Sequence, residues 1–142
     1  MRSERLIRII QLKGQLMEEK ERLLEQYNTK ARVLSGYINT LSIDIESNYS
    51  KLCTKCLDGN EFSVIRNYIE HLDRLKRSAL EQKEQMEKKI AAIRAELVEM
   101  LREIKTLNTL KDKALSAARK VENKKQQKLL DEIALRLEGR DS

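Results

Sequence analysis

Cys53 and Cys56 form a Cys-Thr-Lys-Cys motif, and with His71, the only histidine, they are the residues whose types could bind a metal or exchange electrons. A tetrahedral zinc site takes four ligands, and one cysteine pair plus a distant histidine does not complete it within one chain. A thioredoxin-like role places the motif at a strand-to-helix junction of a βαβ unit, which the surrounding sequence does not form. A metal shared by the motifs of two copies is one reading. The plainer one is two small, partly buried residues at the end of a helix, with His71 as a surface residue just outside an apolar stripe. Catalysis needs a concave place that holds a perturbed acid, base or nucleophile. Here the carboxylates fall on solvated helix faces and no glycine-rich phosphate loop occurs, so the expectation is no enzyme, no cofactor and no small-molecule substrate.

Charge is the second feature with chemical content. The net charge is +6. Residues 1–53 hold nine basic and seven acidic groups, 54–104 ten of each, and 105–142 ten and six, which leaves +2, 0 and +4. The densest basic run is Lys105, Lys111, Lys113, Arg119, Lys120, Lys124, Lys125 and Lys128, and a chain that doubles back brings Arg2, Arg5 and Arg8 toward it. Such a run is either a solvated helix face or an electrostatic footprint for an acidic protein or a nucleic acid. Nucleic acid is the weaker choice, because no aromatic residue follows Tyr68 among these bases and stacking platforms need one.

These residues ride on helical spacing. From Ile65 an apolar stripe runs Leu72, Leu75, Ala79, Gln82, Met86, Ile90, Ile93, Leu97, Met100, Ile104, Leu107, Lys111, Ala114, Ala118 and Val121, the three- and four-residue alternation of a coiled-coil seam. A weaker copy occupies the first third: Ile9, Leu12, Leu16, Leu23, Tyr27, Ala31, Leu34, Ile38, Leu41, Ile45, Tyr49 and Leu52. Charged and amide residues fill the other faces, so each segment has one stripe to bury and neither is stable alone in water. Gly14 and Gly36 lie inside the first segment, each costing about 1 kcal/mol relative to alanine, which makes that arm the softer one.

Leu57-Asp58-Gly59-Asn60 is the one cluster of turn residues. Gly59 could supply a positive φ, Asp58 or Asn60 could cap the next helix, and Asp58 with Glu61 has capping-box spacing. The expectation is an all-α, long two-helix antiparallel coiled-coil hairpin forming a single domain over 1–142, with a helix from about 4 to 56, a turn at 57–60 and a helix from about 61 to 137. The arms are then roughly 80 Å and 115 Å long at 1.5 Å per residue. Pairing outward from the turn leaves the end of the second helix without a partner. That overhang carries Leu129, Leu130, Ile133, Ala134 and Leu137, which either frays or docks.

Composition agrees. Charged residues make up 37% and aromatics 4%, with no Trp or Pro, a balance of long helices rather than of a sandwich, barrel or doubly wound sheet. The longest charge-free stretch, 33–43, is eleven residues, against roughly twenty for a membrane span. Arg2, Arg5 and Arg8 interrupt the apolar core a secretory signal needs, so a cytoplasmic location is expected.

Particular residues bring in a family. Glu103-Ile104-Lys105-Thr106-Leu107-Asn108-Thr109-Leu110-Lys111, followed by Lys124-Lys125-Gln126-Gln127-Lys128-Leu129-Leu130-Asp131-Glu132-Ile133-Ala134-Leu135-Arg136, resembles the end of FliJ, a component of the bacterial flagellar export apparatus. Asn67-Tyr68-Ile69-Glu70-His71-Leu72 is similar to the start of that family's second helix, and the likeness extends to overall length and layout. The Cys53 and Cys56 pair is not a feature of the family.

The resemblance implies an antiparallel coiled coil like the central stalk of rotary ATP synthases, associated with a hexameric export ATPase and with the cytoplasmic domain of the export gate, peripheral to the inner membrane. On that reading Arg2, Arg5, Arg8, Arg119, Lys120, Lys124, Lys125, Leu129, Ile133 and Leu137 meet the ATPase ring, and Leu41, Ile45, Tyr68, Leu72 and Leu75 face the gate. Export chaperones are a further partner class. Other classes stay open: a general coiled-coil chaperone or adaptor, a structural coiled-coil oligomer, or the stalk protein of a virulence type III secretion system.

Overall fold

The computed structural model describes residues 2–54 and 56–141, with side chains through Gly139. Two helices pack against each other as an all-α hairpin: α1, Arg2–Thr54, and α2, Gly59–Asp141. Among the described residues there is no strand. The arms are unequal, 53 residues against 83.

The reversal is set by one side chain. Asp58 Oδ1 accepts the Glu61 backbone N–H at 2.7 Å, and the Asp58 carbonyl accepts the Phe62 N–H at 3.0 Å as the first helical bond of α2. Asp58 is thus the N-cap and Glu61 the third helical residue. Gly59 therefore lies inside α2, and no described glycine has a positive φ. The left-handed turn expected at Gly59 is not used: Gly59 is the first residue of α2 and takes helical dihedrals.

The chain divides into two compact units, one of residues 19–97 and one of 1–18 with 98–142. In the first, Lys20 pairs with Glu96, and the Lys89 ammonium lies 5.7 Å from the Tyr27 ring centroid. The partner number falls as the α1 number rises, which is the antiparallel arrangement. All seven buried apolar side chains among the described residues belong to this unit: Ile38, Leu41, Ile69, Leu72, Ala79, Ile90 and Ile93. They stand on strict heptads, with Ala31, Leu34, Ile45 and Leu52 of α1 and Ile65, Met86 and Leu97 of α2 half-buried beside them.

In the second unit no described residue is buried, and the seam is made of half-buried Leu6, Ile10 and Met17 on α1 with Met100, Ile104, Leu107 and Ala114 on α2. Lys13 reaches across to Glu103 at 2.5 Å. This corrects the stripe read from the sequence. Ile9, Leu12 and Leu16 are 41%, 61% and 51% exposed, and the seam takes the neighbouring face, counted back in sevens from Tyr27 through Lys20, Lys13 and Leu6. A supercoil holds one face toward its partner only while the seven-residue repeat is kept, so the in-phase face wins even though it carries two lysines. Their long stems lie over the seam while the ammonium groups reach carboxylates at its edge. Tyr49 is exposed for the same reason, with Asn48 half-buried in its place, and on α2 Gln82 is exposed where Lys83 is half-buried.

Candidate functional site

Every described residue of α2 from Ser116 to Gly139 is exposed, whereas Ala114 and Leu115 are half-buried. The helix runs on without α1 beside it, and Val121, Leu129, Leu130, Ile133, Leu135 and Leu137 are between 45% and 67% exposed. Ala118 and Val121, read from the sequence as seam residues, are exposed here because α1 has ended. The stripe also changes period. Up to Ala114 it keeps sevens; from Leu115 it steps Ala118, Glu122, Gln126, Leu129, Ile133, Leu137, an eleven-residue repeat. An eleven-residue repeat does not wind with a left-handed seam.

Around this segment stand the basic residues. Arg119, Lys120, Lys124 and Lys125 are exposed on α2, and Arg2, Arg5 and Arg8 are exposed on the part of α1 in the same unit. Among the described residues none of these cations forms an ion pair. An exposed apolar ridge flanked by unshared positive charge can bind a complementary protein surface that is apolar with an acidic border.

The residues read as gate-facing sit in the unit of 19–97 and fare differently. Leu41 and Leu72 are each 4% exposed and close the hairpin's own seam; Ile45 and Leu75 are half-buried, and Tyr68 is 47% exposed. Of the five, Tyr68 presents the largest free surface, together with Phe62 at 44% and Val64 at 67%, two residues the sequence reading passed over. Further along the same unit a groove of about 440 Å³ is lined from both helices by Val33, Leu34 and Met86 together with Lys30 and Lys89.

Cys53 lies in the last turn of α1 and Cys56 in the connection, and both are free thiols. Both are exposed rather than partly buried, since the connection between α1 and α2 leaves the turn uncovered. His71 is exposed. Among the described residues no polar or charged side chain is buried, and no group of three or more His, Cys, Asp or Glu could hold a metal ion. None of the helices is long and apolar enough to cross a membrane.

A family model described as flagellar FliJ protein matches residues 1–141. The chain belongs to the FliJ family. As a FliJ protein it is a component of the flagellar export apparatus, in a family whose members are non-enzymatic. No curated protein and no solved structure matches the chain.

Proposed function

We propose that this FliJ protein is a non-catalytic stalk that binds a hexameric export ATPase through the end holding both termini and promotes its assembly and activity. The observation that supports the reading is the exposed segment 116–139, where Leu129, Ile133 and Leu137 stand uncovered beside Arg119, Lys120, Lys124 and Lys125. Burying the three apolar side chains against the ring supplies the contact, and the cations, with Arg2, Arg5 and Arg8, steer the approach. A protein that binds the assembled hexamer better than the free subunit shifts the population toward the hexamer, so it raises ATPase activity with no turnover of its own.

On this reading the other unit links the ATPase to the cytoplasmic domain of the export gate, with Tyr68 as the main contact and Leu41, Ile45, Leu72 and Leu75 holding the backbone that presents it. The groove lined by Val33 and Met86 together with Lys30 and Lys89 supports a further role in escorting export chaperones, since it suits an amphipathic helix with acidic edges. The protein then works at the cytoplasmic side of the inner membrane.

Truncation after Lys120 tests the assignment. The shortened protein keeps the circular dichroism of a helical hairpin and loses stimulation of the export ATPase. Unchanged stimulation would remove the ATPase role.

A further inference from the structure

Cys53 and Cys56 are the only cysteines of the chain. Both are free and both are exposed, and the contacts proposed above use neither. We propose that they form a reversible intrachain disulfide, which makes the connection between α1 and α2 a site of covalent thiol modification.

The two thiols are held differently. Cys53 is fixed in the last turn of α1, where the Thr54 hydroxyl donates to the Ser50 carbonyl at 2.6 Å. Cys56 lies in the connection, and among the described residues no hydrogen bond holds it; the backbone bond that anchors the connection runs from the Phe62 N–H to the Asp58 carbonyl. Drawing Cys56 toward Cys53 therefore breaks no bond of the fold. Residues three apart come within about 5 Å of each other on one helical turn and within about 7 Å across a β-turn. A disulfide accepts Cα separations of about 4.4–6.8 Å, so either kind of turn over 53–56 lets the sulfurs meet.

Among the described residues no third His, Cys, Asp or Glu joins the pair to hold a metal ion, whereas a disulfide needs the two sulfurs alone. The oxidant is a low-molecular-weight disulfide of the glutathione class. One protein thiolate attacks a sulfur of the reagent, which gives a mixed disulfide and releases one thiolate; the other protein thiolate then attacks the protein sulfur of the mixed disulfide and displaces the second. The two cysteine protons end on the two released thiols, and the reagent takes up the two electrons that the new S–S bond gives up. With its partner three residues away, the second thiolate acts at an effective concentration on the order of millimolar, so the bond closes within one chain before a second chain can compete. The bond lies beside the Asp58 cap, at the end of the hairpin that carries Phe62, Val64 and Tyr68. Oxidation thus acts next to the surface read above as gate-facing; that consequence, unlike the disulfide itself, rests on the proposed function.

The test is to treat the reduced full chain with excess glutathione disulfide, quench in acid, alkylate with iodoacetamide and determine the mass. The expected product is a chain short of two hydrogens, carrying no glutathione and no alkyl group, which runs as a single chain on a non-reducing gel and returns to the dithiol with dithiothreitol. Cys53→Ser and Cys56→Ser should each stop at the mixed disulfide, which accumulates at least about tenfold above its level in the unchanged chain because nothing displaces the second glutathione. Circular dichroism should be the same before and after oxidation, since the bond closes outside the seam. Two glutathiones per chain, a covalent dimer, thiols that stay open to iodoacetamide, or loss of helix on oxidation would each overturn the proposal. The measurements contain neither ATPase nor gate, so their failure leaves the proposed function standing, and a failed truncation test leaves the disulfide standing.

Discussion

Lys20 and Glu96 meet across the seam of the hairpin, the Lys20 ammonium donating to Glu96 Oε2, at a heptad position where a coiled coil ordinarily places an aliphatic residue. The side chains are 37% and 50% exposed, so the pair is solvated on one side. Pairs of this kind contribute about 0–1 kcal/mol after screening and side-chain ordering. The lysine is tolerated at the seam more than it is favoured there.

Lys20→Leu should therefore raise stability by about 1 kcal/mol, because the leucine buries apolar surface at that position while Glu96 keeps its water. Urea denaturation followed by circular dichroism checks the sign. A loss of stability would mean that the ion pair, and not the apolar contacts around it, holds this stretch closed.

The cap at the reversal should be worth about what one N-cap hydrogen bond supplies. Asp58→Ala removes the acceptor of the Glu61 N–H and should cost about 1 kcal/mol. Asp58→Asn, which keeps an acceptor oxygen, should cost a few tenths. Equal losses in the two variants, read from the urea midpoint, would show that charge at the helix start matters and the hydrogen bond does not.

Gly36 is a site for gain. A Cβ built on it meets nothing within 4 Å, and its φ is in the ordinary range, so alanine fits without strain. Gly36→Ala should stabilise by about 0.5–1 kcal/mol through helix propensity. Gly14, equally unobstructed, should respond alike, and thermal melts of the two variants and their combination would test both.

Two leucines separate seam from surface. Leu72, 4% exposed, should cost about 2–5 kcal/mol on substitution by alanine, whereas Leu12, 61% exposed, should cost less than about 0.5. A large loss at Leu12 would place Ile9, Leu12 and Leu16 in the seam after all.

The hairpin was legible in the sequence because two features point the same way: apolar residues at three- and four-residue spacing, and Asp58 three positions before Glu61 ahead of the second stripe. The face chosen by the first eighteen residues is not legible from local hydrophobicity. Ile9, Leu12 and Leu16 are the more apolar set, but the heptad count carried back from Ile38 and Leu41 selects Leu6, Ile10 and Met17, and continuity of phase outweighs local hydrophobicity. Strict counting in sevens would have found Lys13 and Lys20 in the seam. At the surfaces, Leu129, Ile133 and Leu137 could be read as uncovered from arm lengths alone. That Leu41 and Leu72 close the core while Tyr68 stays open depends on which stripe faces inward, and residue type does not reveal that.

The buried apolar side chains among the described residues lie between Ile38 and Ile93, and this distribution sets an order of failure. Protease attack begins where backbone opens most readily, and arginine and lysine are plentiful on both flanks of that interval. Limited trypsin digestion should thus pare the protein from its two ends inward and leave a resistant fragment around the turn. The stretches offered to partners are the first to be cut when no partner is there to shield them.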